Sequence, residues 1–570
     1  MLYLPSRFQY SQIDCGKVRT RLVAILFLTL VFAWRVKAQG VETPPVTSFQ
    51  PDTSLPKVNV PEFVITGKAQ IELPRADKPS VEIDSSYFQG KQLEGVGVNV
   101  PLNRSLSSQG SQNSGDERPN LFARTSIGHY TTTEYLLSGG GGYKGYDMNG
   151  SVSGDYTSGF IANTIQRSIL LQGGVAKDFD IEQVGKLSNS LNLGYARSSY
   201  FLYGGQQPIL LRKVNQFSAG INSNIEFGET PLAVELGFDR FSTEDWWDVV
   251  QSSLKLHLHT QFSLPSGNLG ISGVFRAGNH TINSIPIVNP ALPPLERSLY
   301  DLRAGANYSN SFGDVSYSVA LNYFQYKDDS SSGIAKLYPD LRANYKLNSD
   351  VSLFAGFYGT VDEANLLNFV STDRYVDGWL ALRNTQRYAD FTLGSRVALS
   401  NELVVTPQFN IEALEYYPIF ISTAINNSQL IYANKATVFS VSVAVKYTKE
   451  NFSGDATLRF QTGTADSLTS IPNLPPVDLN FGAAYKFTPQ FTLRGWFLFL
   501  SKRYSDLALT NELGAVGLLN LRLSYSTKVS TLPLEIFVEG KNLLNQKYFI
   551  WQGYQEFPLS LFIGVSSKIL

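Results

Sequence analysis

The chain has 570 residues, Lys+Arg 47 against Asp+Glu 48, and 43% hydrophobic residues. A net charge of −1 excludes a basic nucleic-acid binder, and the apolar content excludes a disordered acidic chain. The pairing of 13% aromatic residues with 46 Gly, two Met and one Cys suits many amphipathic strands better than packed helices.

Residues 1–38 read as a secretory signal peptide. Lys17, Arg19 and Arg21 form a positive region, Leu22 to Trp34 an apolar run, and Val36-Lys37-Ala38 a small-x-small cleavage site before Gln39. The apolar run is 13 residues, short of the ~20 that a spanning helix needs, so cleavage is expected rather than anchoring. Cys15 lies upstream of the cut, which leaves the mature chain without a disulfide framework, a Cys-based metal site or a lipoprotein cysteine.

Residues 39–120 are poor in aromatics, rich in Pro, Ser and Gln, and end in the polar run Asn103 to Gly115. This composition predicts a disordered N-terminal periplasmic tail. One short apolar stretch near 62–67, Glu62-Phe63-Val64-Ile65-Thr66-Gly67, offers a strand to a partner sheet, having no core of its own to join.

From Leu121 to residue 570 the pattern is period-2 alternation. Leu254, Leu256, Leu258, Thr260 and Phe262 oppose Lys255, His257, His259 and Gln261, and Phe439, Val441, Val443 and Val445 oppose Ser440, Ser442, Ala444 and Lys446. Such strands put an apolar and a polar row on opposite faces. About 22 of them are expected, with short and long connections in strict alternation. The short ones include Gly228 to Pro231, Gly313-Asp314 and Glu450-Asn451; the long ones include Gly204 to Leu211, Asn279 to Arg297, Asp362 to Arg387, Pro418 to Lys435, Ala465 to Val477 and Asn545 to Phe557. A soluble barrel has no reason to gather its long loops at one end, whereas outer-membrane barrels carry short periplasmic turns and longer external loops. The expectation is an all-β fold: a transmembrane antiparallel up-and-down β-barrel over residues 121–570, in a Gram-negative outer membrane, with both termini periplasmic. Hydrocarbon tolerates no open sheet edge, so the last strand must pair with the first.

Near the C-terminus, Val538-Glu539-Gly540-Lys541-Asn542-Leu543-Leu544-Asn545-Gln546-Lys547-Tyr548, then Trp551-Gln552-Gly553-Tyr554 and Phe562-Ile563-Gly564-Val565-Ser566, resembles the last two strands of TonB-dependent receptors. In detail the likeness covers about 30 residues; strand number and loop asymmetry extend it to the barrel. The chain departs from the family at Ile569-Leu570, where a terminal aromatic is usual, and before Leu121, where the segment is shorter than a family plug and partly linker. The resemblance therefore implies the barrel part only, without a full plug domain.

Four lumen-facing residues, Lys255, His257, His259 and Gln261, read as polar pore lining rather than a metal or proton site, since no Cys or carboxylate ligand stands near them in sequence. Trp246 and Trp247, in the predicted external connection Glu244 to Asp248, offer rings that could stack on a ligand, though interfacial anchoring is the more ordinary role. The run Gly139 to Gly142 lacks the Lys-Ser/Thr and helix of a phosphate loop and suggests close backbone approach within the wall. His129 and His280 show no local Ser or Asp constellation, so no catalytic residues, cofactor or metal are assigned. The function expected is a transport conduit occluded by loops, by the tail or by a partner. The alternatives are a scaffold barrel of a multi-protein complex, or TonB-driven uptake with a reduced plug. The partners expected are outer-membrane lipid and a membrane or periplasmic protein or lipoprotein, with TonB left open and no nucleic acid.

Overall fold

The computed structural model describes residues 120–181, 185–204, 209–227, 230–284, 294–330, 333–422 and 428–569. The signal peptide, the linker and the Glu62 to Gly67 strand read from the sequence lie outside the described residues.

The first strands are β1 (Asn120–Gly128), β2 (Thr132–Tyr143), β3 (Tyr146–Thr157), β4 (Gln166–Ile181), β5 (Gly185–Leu202), β6 (Leu210–Phe227), β7 (Thr230–Glu244) and β8 (Trp247–Leu264). They are followed by β9 (Gly267–Ser284), β10 (Leu295–Phe312), β11 (Val315–Lys327), β12 (Ile334–Lys346), β13 (Val351–Asp362), β14 (Thr385–Ala398), β15 (Leu403–Ile421) and β16 (Gln429–Lys449). The last are β17 (Phe452–Ala465), β18 (Val477–Lys486), β19 (Phe491–Leu500), a short hairpin β20 (Arg503–Tyr504) and β21 (Glu512–Leu513), then β22 (Val516–Val529), β23 (Leu532–Lys541) and β24 (Ser560–Lys568). Every strand but the hairpin joins one 22-stranded antiparallel sheet, which β1 closes by pairing with β24 from Phe122↔Lys568 to Gly128↔Phe562. The barrel expected from alternation is the barrel found.

Alternation sets the faces. On β8, Leu254 and Leu258 stand 49% and 42% exposed on the outside, while Val249, Gln251 and Ser253 are buried within. Leu171, Leu193, Phe217, Val441, Phe481 and Ile563 continue that outward apolar row around the wall. Half-exposed leucines and phenylalanines in such number are stable against hydrocarbon and not against water. The barrel strands are 9 to 21 residues long, so the tallest, β15 and β16, rise well beyond the ~10 residues a bilayer requires.

At one end the connections, such as Lys144-Gly145, Gly313-Asp314 and Glu450-Asn451, are tight turns. At the other they extend to 363–384, 501–515 and 542–559. The strict alternation expected from the sequence breaks twice: β1 joins β2 through His129–Thr131, and β7 joins β8 through Asp245-Trp246, both at the long-loop end. Neither pair of strands needs a longer link, because each continues its ladder up to the turn, to Gly128↔Thr132 and Glu244↔Asp248. Several predicted loops are also shorter than expected; β15 and β16 remain paired as far as Ile421↔Gln429. Gly139 to Gly142 lie within β2, where a Cβ on Gly140 would stand 2.8 Å from the Met148 carbonyl oxygen of β3, so the close approach is between neighbouring strands.

Candidate functional site

The largest apolar core is not in the wall but within the long-loop end of the barrel. Its first component is loop 363–384. The Asn365 side chain accepts a hydrogen bond from Asn368 N at 2.7 Å, an N-cap that starts helix α1 (Leu366–Thr372). The helix buries Leu366, Phe369 and Val370 and ends at Asp373, whose carboxylate accepts from Tyr375 N at 2.9 Å. The chain then runs to strands far from its own. Leu366 N donates to Gln251 of β8 at 2.6 Å, and Tyr200 of β5 and Arg212 of β6 both donate to the Arg374 carbonyl, at 2.7 and 2.8 Å. Arg374 itself donates to Gln166 of β4 at 3.1 Å and places its guanidinium 3.8 Å from the Tyr200 ring centroid. Since β13 and β14 stand seven to ten strands along the sheet from β4 to β6, this loop reaches across the interior.

The second component, loop 542–559, belongs to the motif that resembles TonB-dependent receptors. Asn542 is its staple: Nδ2 donates to the carbonyls of Gln546 and Phe557 at 2.9 and 3.0 Å, and Oδ1 accepts from Gln546 N at 3.0 Å. The loop buries Tyr548, Ile550, Trp551 and Tyr554. Tyr554 stacks on Tyr375 of the first loop, with ring centroids 3.5 Å apart and planes 13° from parallel. At the end of β5, Gly204 meets Gly553, whose φ of +87° favours glycine; a Cβ on either would come within 2.7 Å of the other's backbone oxygen. From loop 501–515, Arg503 donates to the carbonyls of Phe549 and Ile550 at 3.0 and 2.7 Å.

The tip of the β15–β16 hairpin completes the layer. Tyr416 has a φ of +59°, and beyond it Tyr417 to Ile421 of β15 are buried on both rows. Phe420, with Leu430 and Tyr432, packs against α1 and Trp551, while Tyr417, Ile419, Ile421 and Ala433 pack against Ile471 of loop 466–476.

Charges are buried inside this aromatic layer. Arg212 pairs with Asp245, both side chains 1% exposed. Asp373 is pushed up to about 6 by loss of water, against the opposing pull of its hydrogen bonds and of Arg212 and Arg374. Arg503 is pushed down to about 10 by burial alone. Nearby, His280 Nδ1 lies 2.6 Å from Asp329 Oδ2, and that same oxygen accepts from Leu382 N at 2.7 Å, so the pair fastens the far arm of loop 363–384.

Lys255, His257, His259 and Gln261 lie on the inward row of β8. Glu235, opposite His257 on β7, joins two of them: Lys255 Nζ is 3.3 Å from one carboxylate oxygen and His257 Nδ1 is 3.4 Å from the other. Sequence spacing hid this carboxylate, because cross-strand neighbours are distant in the chain. Among the described residues no three His, Cys, Asp or Glu side chains are grouped as a metal site. Trp246 lies in the β7–β8 turn and Trp247 opens β8; Trp247 donates from Nε1 to Asp377 at 3.0 Å and its ring lies 4.8 Å from Trp379, at 48°. Trp247 thus holds loop 363–384, and the exposed ring beside it is Trp379, which the sequence did not single out.

No family model matches the sequence, and no curated protein is similar to it. Solved structures are similar. The FrpB iron transporter from Neisseria meningitidis superposes with a TM-score of 0.64 at 9% identity, over 80% of this chain and 83% of that one. BauA, the ferric preacinetobactin receptor from Acinetobacter baumannii, gives 0.59 at 13% identity, over 79% and 80%. The ferric-catecholate import receptor Fiu from E. coli K12 gives 0.60 at 10% identity, over 79% and 82%. The barrel has the fold of TonB-dependent outer-membrane receptors, as the C-terminal motif implied.

Proposed function

We propose that this protein is an outer-membrane transport barrel without a full plug domain, closed by its own external loops, with both termini periplasmic. The observation that carries the reading is the meeting of loops 363–384 and 542–559 at Tyr375 and Tyr554 inside a barrel of 22 strands. A barrel of this size encloses an aqueous channel unless something fills it, and these loops supply buried aromatic packing where a solvent-filled mouth would need only polar residues. Iron, siderophore and copper transporters among the similar folds support transport rather than chemistry as the task. The short, linker-like composition of residues 39–120 supports closure from the loops.

Planar-bilayer recording of the full chain tests this. The expected result is a small conductance that rises when residues 366–382 are replaced by a short Gly-Ser linker. A large steady conductance in the unaltered protein would overturn the closed state, and an unchanged conductance after the replacement would remove the loop as its cause.

A further inference from the structure

The outer surface of β4 to β7 carries a feature that transport does not use. Arg167, Arg197 and Arg240 are exposed and point outward, on the same parity as the lipid-facing Leu171, Leu193, Phe217 and Leu236. The strand register sets them side by side. One outward row runs Tyr156, Arg167, Ser199, Lys213, Glu244; the next toward the membrane runs Ile169, Arg197, Asn215, Ser242; the third runs Leu171, Tyr195, Phe217, Arg240. Below these the row is Gly173, Leu193, Ala219, Phe238 and Leu254, wholly apolar or small. The change from apolar to cationic therefore falls within three successive outward rows on four adjacent strands, with Tyr195 and Phe217 at the boundary.

Strands ~5 Å apart and outward rows ~7 Å apart put the four cations within a patch roughly 20 Å across. Lys213 bonds Glu244 at 2.8 Å, and Arg167 lies 5.6 Å from the Tyr156 ring centroid. Among the described residues none of the three arginines forms an ion pair with a carboxylate. Arginine is costly at a hydrocarbon boundary unless an anion meets it there, and its planar fork suits phosphate oxygens. We infer that Arg167, Arg197, Lys213 and Arg240 bind the phosphorylated headgroup of a lipid in the leaflet at the long-loop end, whose acyl chains lie on the apolar rows beneath. The inference rests on the membrane reading and is independent of loop closure. A lipid is favoured over free phosphate because the cations stand directly above the hydrocarbon-facing surface, where only a ligand with both parts gains from both.

The test uses the full chain in nanodiscs of phosphatidylethanolamine with either bisphosphorylated or dephosphorylated lipid A, and native mass spectrometry of the retained lipid. The expected result is retention of the bisphosphorylated form about tenfold above the dephosphorylated one, collapsing toward equality in Arg167→Gln/Arg197→Gln/Arg240→Gln and largely kept in the matching triple Lys variant. Equal preference in the protein and its Gln variant would overturn the inference. So would displacement of the lipid by excess inorganic phosphate, which would leave a simple phosphate site. Heat-dependent mobility shift reports barrel folding; should the triple variant lack it, Arg197→Gln alone is read, with about a threefold loss expected. A chain absent from the outer-membrane fraction would instead fail the membrane reading itself.

Discussion

Tyr375 and Tyr554 are 179 positions apart in the numbering and stack face to face at 3.5 Å in the interior of the barrel, each buried. They join two loops with largely separate hydrogen-bond anchors: 363–384 is held by Gln166, Tyr200, Arg212 and Gln251, and 542–559 by its own Asn542 and by Arg503. Removing a ring here should loosen the layer without unfolding the wall. Tyr554→Ala is expected to weaken loop docking by about 3 kcal/mol, and a cycle with Tyr375→Leu to return about 1 kcal/mol for the stack itself. Hydrogen exchange checks this: amides of residues 366–382 and 546–557 should speed up while those of β15 and β16 hold.

Asp373 makes docking depend on pH. Its carboxyl is raised from 3.8 to about 6 when the loop is packed. The docked state therefore holds a proton that the undocked state has released between those values. Docking is strongest below pH 3.8, weakens as pH rises through the window up to about 6, and is level above it. The loss across the window is about 3 kcal/mol at the usual conversion per pKa unit. Asp373→Asn should flatten the profile and hold the loop as tightly at pH 7.5 as at pH 4.5; bilayer conductance across that range is the readout. An equally steep profile in the Asn variant would assign the effect to another group.

The wall was legible because its signal is local. Alternation within β8 or β16 fixes the faces, and the need to close the sheet supplies β1 against β24. The interior layer was not legible as a layer, because its contacts join residues hundreds of positions apart. A signal was nonetheless present. At the long-loop end the inward row takes in large apolar residues: Tyr200 and Leu202 on β5, Val214 on β6, Phe241 on β7, Val249 on β8, and Val516 and Leu518 on β22 are all buried. Loops 363–384 and 542–559 also carry Leu366, Phe369, Val370, Leu380, Leu382, Ile550 and Trp551, too apolar for solvent-exposed links. Apolar strand tops opposite apolar loops predict that the loops turn inward. Glu235 beside His257 is a different case, since the partner is set by register and no spacing rule within one strand could find it.

The Arg212–Asp245 pair should behave as a buried ion pair inside an aromatic core. Arg212→Met leaves Asp245 without its charge partner and removes a donor to the Arg374 carbonyl, with an expected cost of about 3 to 5 kcal/mol. The double variant Arg212→Met/Asp245→Asn should recover part of that loss, because the orphaned carboxylate is gone. The midpoint of urea-induced undocking, followed by Trp247 and Trp379 fluorescence, distinguishes them. If the double variant is the less stable, the carboxylate must have a second partner that compensates for loss of the arginine.

The assignment of faces can be tested on neighbouring residues of one strand. Val443 lies on the outward row of β16, two residues from the exposed Val441 and opposite Pro407 of β15 and Leu458 of β17. Ser442 lies on the inward row, opposite Gln408 and Arg459. An arginine at 443 must hold its guanidinium against hydrocarbon and is expected to cost about 2 to 4 kcal/mol near the midplane. An arginine at 442 enters a polar interior beside Arg459, whose charge is already answered by Asp478 at 2.6 Å, so the expected cost is under about 1 kcal/mol. Refolding into lipid vesicles at graded urea gives both values. The difference depends only on which row meets lipid, so equal costs would place this stretch of β16 in water on both faces, and a reversed order would turn the barrel inside out.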